Sequence, residues 1–150
     1  MVIAVDFDGT IVEHRYPEIG EERPFATEII KKLIADRHKI ILWTVREGEL
    51  LEEAINWCKE RGVTFYAVNS DSSEMFNEAK DKNFSCKLNA DFFIDDKNIG
   101  GLPSWPTIYK IISTGKSYRQ ILRQQFRDEF SEQKPPSPKW MFWKQAHTHQ

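Results

Sequence analysis

At 150 residues, 40% hydrophobic and 29% charged, the chain is long enough for one packed core and short for two. No run approaches the ~20 apolar residues that span a bilayer, and two cysteines, Cys58 and Cys86, form neither a metal-binding spacing nor a disulfide framework. The formal net charge of −2 is uneven, with residues 1–115 net acidic and residues 116–150 net basic. A reduced, cytoplasmic protein without membrane association is expected, and Met1 leads straight into an apolar segment with none of the marks of a signal peptide.

Val2 to Val5 is a short β-branched and apolar run, the pattern of a strand buried on both faces of a parallel sheet. Asp6 and Asp8 follow it on the same side by the period of two, with Phe7 pointing away. Gly9 then permits a sharp turn. Pro24 to Arg37 reads as a helix, with Phe25, Ile29, Leu33 and Ile34 on one face and Pro24 suited to its first turn. Lys39 to Trp43 reads as a second buried strand, ending at Thr44. Glu47 to Arg61 reads as a helix stopped by Gly62.

A third strand is expected near Thr64 to Val68, a polar connector over Asn69 to Ser85, and a fourth strand at Phe92 to Ile94 before Asp95 and Asp96. Asn98 to Gly101 is a turn just past that acid pair, and Trp105, Ile108, Tyr109, Ile111 and Ile112 mark an apolar helix. Strands and helices alternating at this length predict an α/β fold, three-layer and Rossmann-like, with a central, mostly parallel sheet and helices on both faces. Two acids at the C-terminal end of a strand lie where such sheets place their ligands.

The segment Val2-Ile3-Ala4-Val5-Asp6-Phe7-Asp8-Gly9-Thr10 resembles the first signature of the haloacid dehalogenase-like (HAD) phosphohydrolases, an apolar strand followed by Asp-x-Asp-Gly-Thr. Ile40 to Thr44 looks like the second signature, Lys87 stands where the family keeps its lysine, and Asp91 to Asp96 looks like the last. The resemblance runs from about Met1 to about Ile112. It implies a capless catalytic domain over residues 1–115, because the places where such families insert a lid hold only short elements here.

The resemblance assigns nucleophilic attack on phosphorus to Asp6 and general acid/base work to Asp8. A dianionic phosphate approaches a cluster of acids only when its charge is neutralised, and magnesium suits an all-oxygen ligand set of this kind. By resemblance the metal ligands are the Asp6 carboxylate, the Asp8 backbone carbonyl, Asp95 and Asp96. Thr44 and Lys87 would hold the phosphoryl group, and Gly9 and Thr10 complete the substrate-binding set. Arg46, two positions beyond Thr44, could grip phosphate or carboxylate bidentately; the competing reading is a salt bridge to Glu47 or Glu49. Asp91 reads as a strand-entry or loop residue rather than a ligand, and His14 and Arg15 as loop residues near the substrate or in solvent.

The expected activity is therefore a magnesium-dependent phosphomonoester hydrolase acting through an aspartyl-phosphate on a phosphorylated small molecule or polymer end. The alternatives are a nucleic-acid end phosphatase using an open site and the basic tail, and a non-catalytic phosphate-binding protein of the same fold. Residues 116–150 are expected to form a separate tail. Tyr118, Leu122, Phe126 and Phe130 recur every four residues and predict an amphipathic helix packed on the domain or on a second copy. Lys134 to Pro138 is a stiff extended break before Trp140 to Trp143, and His147 and His149 read as a loose end. Arg119, Arg123, Arg127, Lys134, Lys139 and Lys144 hint weakly at nucleic acid, a solvated face being the simpler reading.

Overall fold

The computed structural model describes residues 1–70 and 87–132, with side chains as far as residue 129. Eight elements are present there: β1 (Val2–Val5), α1 (Ala26–Ala35), β2 (Lys39–Leu42), α2 (Gly48–Glu60), β3 (Ala67–Val68), β4 (Phe92–Ile94), α3 (Trp105–Thr114) and α4 (Tyr118–Glu132). The strands form one sheet in the order β3-β2-β1-β4, and every neighbouring pair is parallel. The α/β architecture read from the sequence is thus the observed one.

β1 and β2 are the inner strands because both can be buried on two faces: Ile3, Ala4 and Val5 of β1 and Ile40, Ile41 and Leu42 of β2 are all buried. β1 pairs in register with β2 from Val2 opposite Lys39 to Val5 opposite Leu42, and on its other edge Ile3 and Val5 face Phe92 and Ile94 of β4. Ala4, Ile41, Ala67 and Leu88 form a buried cluster, with Val2, Trp43, Tyr66 and Ala90 packed around it. Burying such apolar surface contributes about 25 cal/mol per Å². Phe92 and Phe93 stay partly exposed on the outer strand.

The first two helices are shorter than their sequence patterns. Phe25 is left-handed at φ 67° and separates Pro24 from the first helical residue, while Arg37 at φ 65° lies beyond the end of α1. The first turn of α1 is capped from outside, since the Thr27 N–H and hydroxyl both donate to Glu22 Oε1 at 3.0 and 2.6 Å. α2 ends at Glu60, before Gly62 at φ 78°. β3 keeps only two of the five expected residues, because the chain pairs with β2 at Ala67 and Val68 alone.

Between β1 and α1 the chain makes a closed loop. Glu13 N–H donates to Glu21 O at 2.8 Å and Arg23 N–H to Ile11 O at 2.9 Å. Gly20 is needed at its base, since a Cβ there would lie 2.1 Å from the Glu13 carbonyl oxygen. Gly20→Ala should therefore cost about 1–3 kcal/mol through overpacking, read as a lowered midpoint in thermal melting. An unchanged midpoint would mean that the loop is not closed in this way.

The chain divides into two compact units, Met1–Tyr109 and Lys110–Gln150, so the division falls inside α3 rather than after residue 115. In the second unit α4 forms as expected, its start fixed by Ser117 and Gln120, whose side chains bond each other's backbone N–H groups. Its predicted apolar ladder is not buried: Tyr118, Leu122 and Phe126 are 42, 45 and 63% exposed, and Ile121 at 5% is the buried position. Four-residue spacing drifts around a helix of 3.6 residues per turn, so one straight face does not collect all these residues. The expectations for residues 71–86 and 133–150, and for the Phe130 side chain, lie outside the described residues. Among the described residues no helix is long and apolar enough to cross a membrane.

Candidate active site

β1, β2 and β3 extend the sheet in one direction, and β4 then joins the opposite edge of β1. The crevice at such a reversal is where open α/β sheets bind ligands. Asp6 directly follows β1 and Asp95 and Asp96 directly follow β4, and the Asp6 N–H bonds the Ile94 carbonyl at 3.0 Å. Asp6, Asp95 and Asp96 each offer a carboxylate oxygen, all within 4.8 Å of one another. Burial pushes the Asp6 carboxyl up from 3.8 to about 6; the Phe7 backbone N–H opposes this, and the charges of Asp95, Asp96 and Asp8 add to it.

The turn after β1 is wound on one carbonyl. The N–H groups of Thr10, Ile11 and Val12 all point to Phe7 O at 2.9 to 3.3 Å, and Gly9 N–H returns to Val12 O at 2.8 Å. Gly9 has φ +88°, and Asp96 occupies the space where a side chain would stand. Thr10 is fully buried. Its hydroxyl donates to Asp6 Oδ2 at 3.4 Å and accepts the Asp96 N–H at 3.0 Å, and its carbonyl takes the Trp105 indole N–H at 3.2 Å. Thr10 thereby ties Asp6 after β1 to Asp96 after β4.

Thr44 is half-buried at the end of β2, on the same edge of the sheet as the acids. Its N–H donates to Asn69 Oδ1 at 2.8 Å, and Asn69 Nδ2 returns a bond to the Thr44 carbonyl at 2.9 Å. Asn69, which the sequence places only at the start of a polar connector, directly follows β3 as Asp6 follows β1 and Asp95 follows β4. Lys87 is exposed. Lys97 also reaches the acids, with Nζ 2.9 Å from Asp96 Oδ2, and that bond raises its pKa. Asp91 serves the start of its strand, exchanging bonds with the Val2 backbone at 2.7 and 2.8 Å. His14 and Arg15 are exposed.

Arg46 departs most from expectation. It is completely buried, and it contacts neither Glu47 nor Glu49. Its Nε and Nη2 donate to the two Asp8 oxygens at 2.7 and 2.8 Å, while Nη1 reaches Pro17 O and Nη2 Glu18 O, both at 2.9 Å. The cause is burial of Asp8, 6% exposed: a carboxylate out of water needs a partner, and losing it costs several kcal/mol. The bond to Asp8 in turn raises the Arg46 pKa. The Asp8 carboxylate is therefore turned to Arg46 and lies outside the three-acid group.

The three acids fit a hard cation by their chemistry. All offer oxygen, as magnesium prefers, and Asp96 Oδ1 is buried without a hydrogen-bond partner, an acceptor of the kind that an ion satisfies.

No family model matches the chain, and a search of curated proteins found no match. Among solved structures, that of a conserved protein from Bacteroides thetaiotaomicron is similar with a TM-score of 0.74, at 58% identity over 81% of this chain and 96% of that one.

Proposed function

We propose that this chain, which belongs to the same family as the conserved Bacteroides thetaiotaomicron protein, is a magnesium-dependent phosphomonoester hydrolase working through an aspartyl-phosphate. The observation that carries the reading is the convergence of Asp6, Asp95 and Asp96 at the crevice between β1 and β4. The similarity of Asp6 to Thr10 and of Ile94 to Asp96 to the HAD signatures names the chemistry such a cluster would perform. The buried free thiol of Cys58 suits a cytoplasmic setting.

Asp6 attacks phosphorus through a carboxylate oxygen, forming the new O–P bond as the bond to the leaving oxygen breaks. Asp8 gives that oxygen a proton, then takes one from the water that cleaves the aspartyl-phosphate, releasing phosphate and restoring Asp6. Thr44 offers its hydroxyl to a phosphoryl oxygen, and Lys87 or Lys97 supplies positive charge. Magnesium held by Asp6, Asp95, Asp96 and the Asp8 carbonyl would neutralise the charge of the phosphate, so that the rest is positioning.

The test is phosphate release from p-nitrophenyl phosphate with magnesium, with EDTA, and with excess magnesium restored. Activity should require the metal and return with it, and acid quenching during turnover should trap a hydroxylamine-sensitive phosphoprotein. Full turnover in EDTA, or no turnover on aryl, sugar and nucleotide phosphates, would sink the proposal.

A further inference from the structure

We propose that Arg46 is a positioning residue that sets the leaving-group side of this site, holding the Asp8 carboxylate and the 14–18 loop in a single grip. The inference rests on the phosphomonoesterase reading for what Asp8 does, and on geometry for the grip itself.

Arg46 does more than neutralise a buried acid. A lysine could supply the charge, but the planar fork of a guanidinium also fixes the plane of the carboxylate it binds. Here Nε and Nη2 take one Asp8 oxygen each. That grip uses one lone pair per oxygen and leaves a second on each for a proton. The guanidinium carbon also lies 5.1 Å from the Phe7 ring centre and 5.4 Å from that of Tyr16, so rings on the turn and on the loop confine it.

The same group holds the loop. Its base is closed by the backbone bonds of Glu13 with Glu21 and of Ile11 with Arg23, and its tip is held by the Pro17 and Glu18 carbonyls on Arg46. His14, Arg15, Tyr16, Pro17 and Glu18 are all exposed, so burial of their side chains does not place the tip. One guanidinium therefore fixes both Asp8 and the loop. An acid that protonates the leaving oxygen must lie within hydrogen-bond reach of it. The organic part of the ester consequently leaves along the 14–18 loop, and that loop is where the substrate's non-phosphate portion is met.

Arg46→Lys keeps the charge and removes the fork. Turnover is compared on p-nitrophenyl phosphate, whose leaving group needs little protonation, and on a simple alkyl phosphate, whose leaving group needs the proton. With Asp8 misaligned, kcat on the alkyl ester should fall by about 10²-fold, the scale of general acid catalysis, and on the aryl ester by less than about tenfold. Hydrogen exchange at residues 14–19 should quicken while that of β2 stays as in the wild type. A merely structural role depresses both esters by one factor, and that result would overturn the proposal.

If the wild type hydrolyses neither ester, the phosphatase reading fails, and exchange alone then judges the grip: unchanged exchange at residues 14–19 overturns it too. Should Arg46→Lys not fold, Tyr16→Ala, at a half-exposed position, removes one ring from the guanidinium. It should shift the alkyl-to-aryl ratio in the same direction by a smaller factor, and an unmoved ratio counts against the proposal.

Discussion

Asp6→Asn should lose turnover by about 10⁴-fold or more, as removal of a catalytic nucleophile does, and yet melt at a higher temperature than the wild type in EDTA at pH 7.5. The carboxamide lacks the oxyanion that the proposed mechanism directs at phosphorus. It also lacks the charge that the fold resists. Asp6 titrates at about 6 in the fold against 3.8 ordinarily, burial being the main cause, so between those values the folded protein binds more protons than the unfolded chain. Stability of the metal-free wild type must then fall as pH rises from about 4 to about 6, and remain at the lower level above.

Two pK units correspond to roughly 2.7 kcal/mol, and because Asp6 is only half-buried we expect about 1–2 kcal/mol after solvent screening. Melts of both proteins at pH 4, 5, 6 and 7.5 check the sign. The variant should gain on the wild type with rising pH and converge with it below pH 4. Magnesium should reverse the order, raising the wild-type midpoint by mass action far more than that of the variant. A variant less stable than the wild type in EDTA at pH 7.5 would show that Asp6 is not held against its charge.

The parts legible in the sequence are those that local pattern controls. Val2 to Val5, Lys39 to Trp43 and Phe92 to Ile94 read as strands because apolar and β-branched runs of that length have few other places to go. The structure places strands there, the second ending at Leu42, and the polar residue after each run marks the candidate edge of the sheet. The side-chain partner of Arg46 is hidden for the opposite reason. Its neighbours Glu47 and Glu49 offer local charges, whereas its partner Asp8 is 38 positions away and is selected by burial that no local spacing encodes. The Thr10 bonds to Asp6, Asp96 and Trp105 are hidden in the same way, since they exist only once β1 and β4 are neighbours. In α4 the apolar period was seen but its burial was not, because a helix records which residues align and not what covers them.

Gly9→Ala should disable the site through contact rather than through strain alone. An alanine at φ +88° costs about 1–3 kcal/mol, and its Cβ would lie 2.4 Å from Asp96 Oδ2 and 2.6 Å from Asp96 Cγ. The short Asp96 side chain has little room to yield, since its N–H is bonded to Thr10 and its Oδ2 to Lys97. It must swing away from Asp6 and Asp95, opening the three-acid group. We expect magnesium affinity and turnover to fall by about 10–100-fold, the scale of a displaced metal support. Gly48→Ala is the control: Gly48 also has positive φ, at +52°, but nothing lies within 4 Å of an added Cβ. It should lose stability alone and bind magnesium as the wild type does. Calorimetric titration with magnesium separates the two variants, and wild-type affinity in Gly9→Ala would remove Asp96 from the metal site and leave Asp6 and Asp95 to hold the ion.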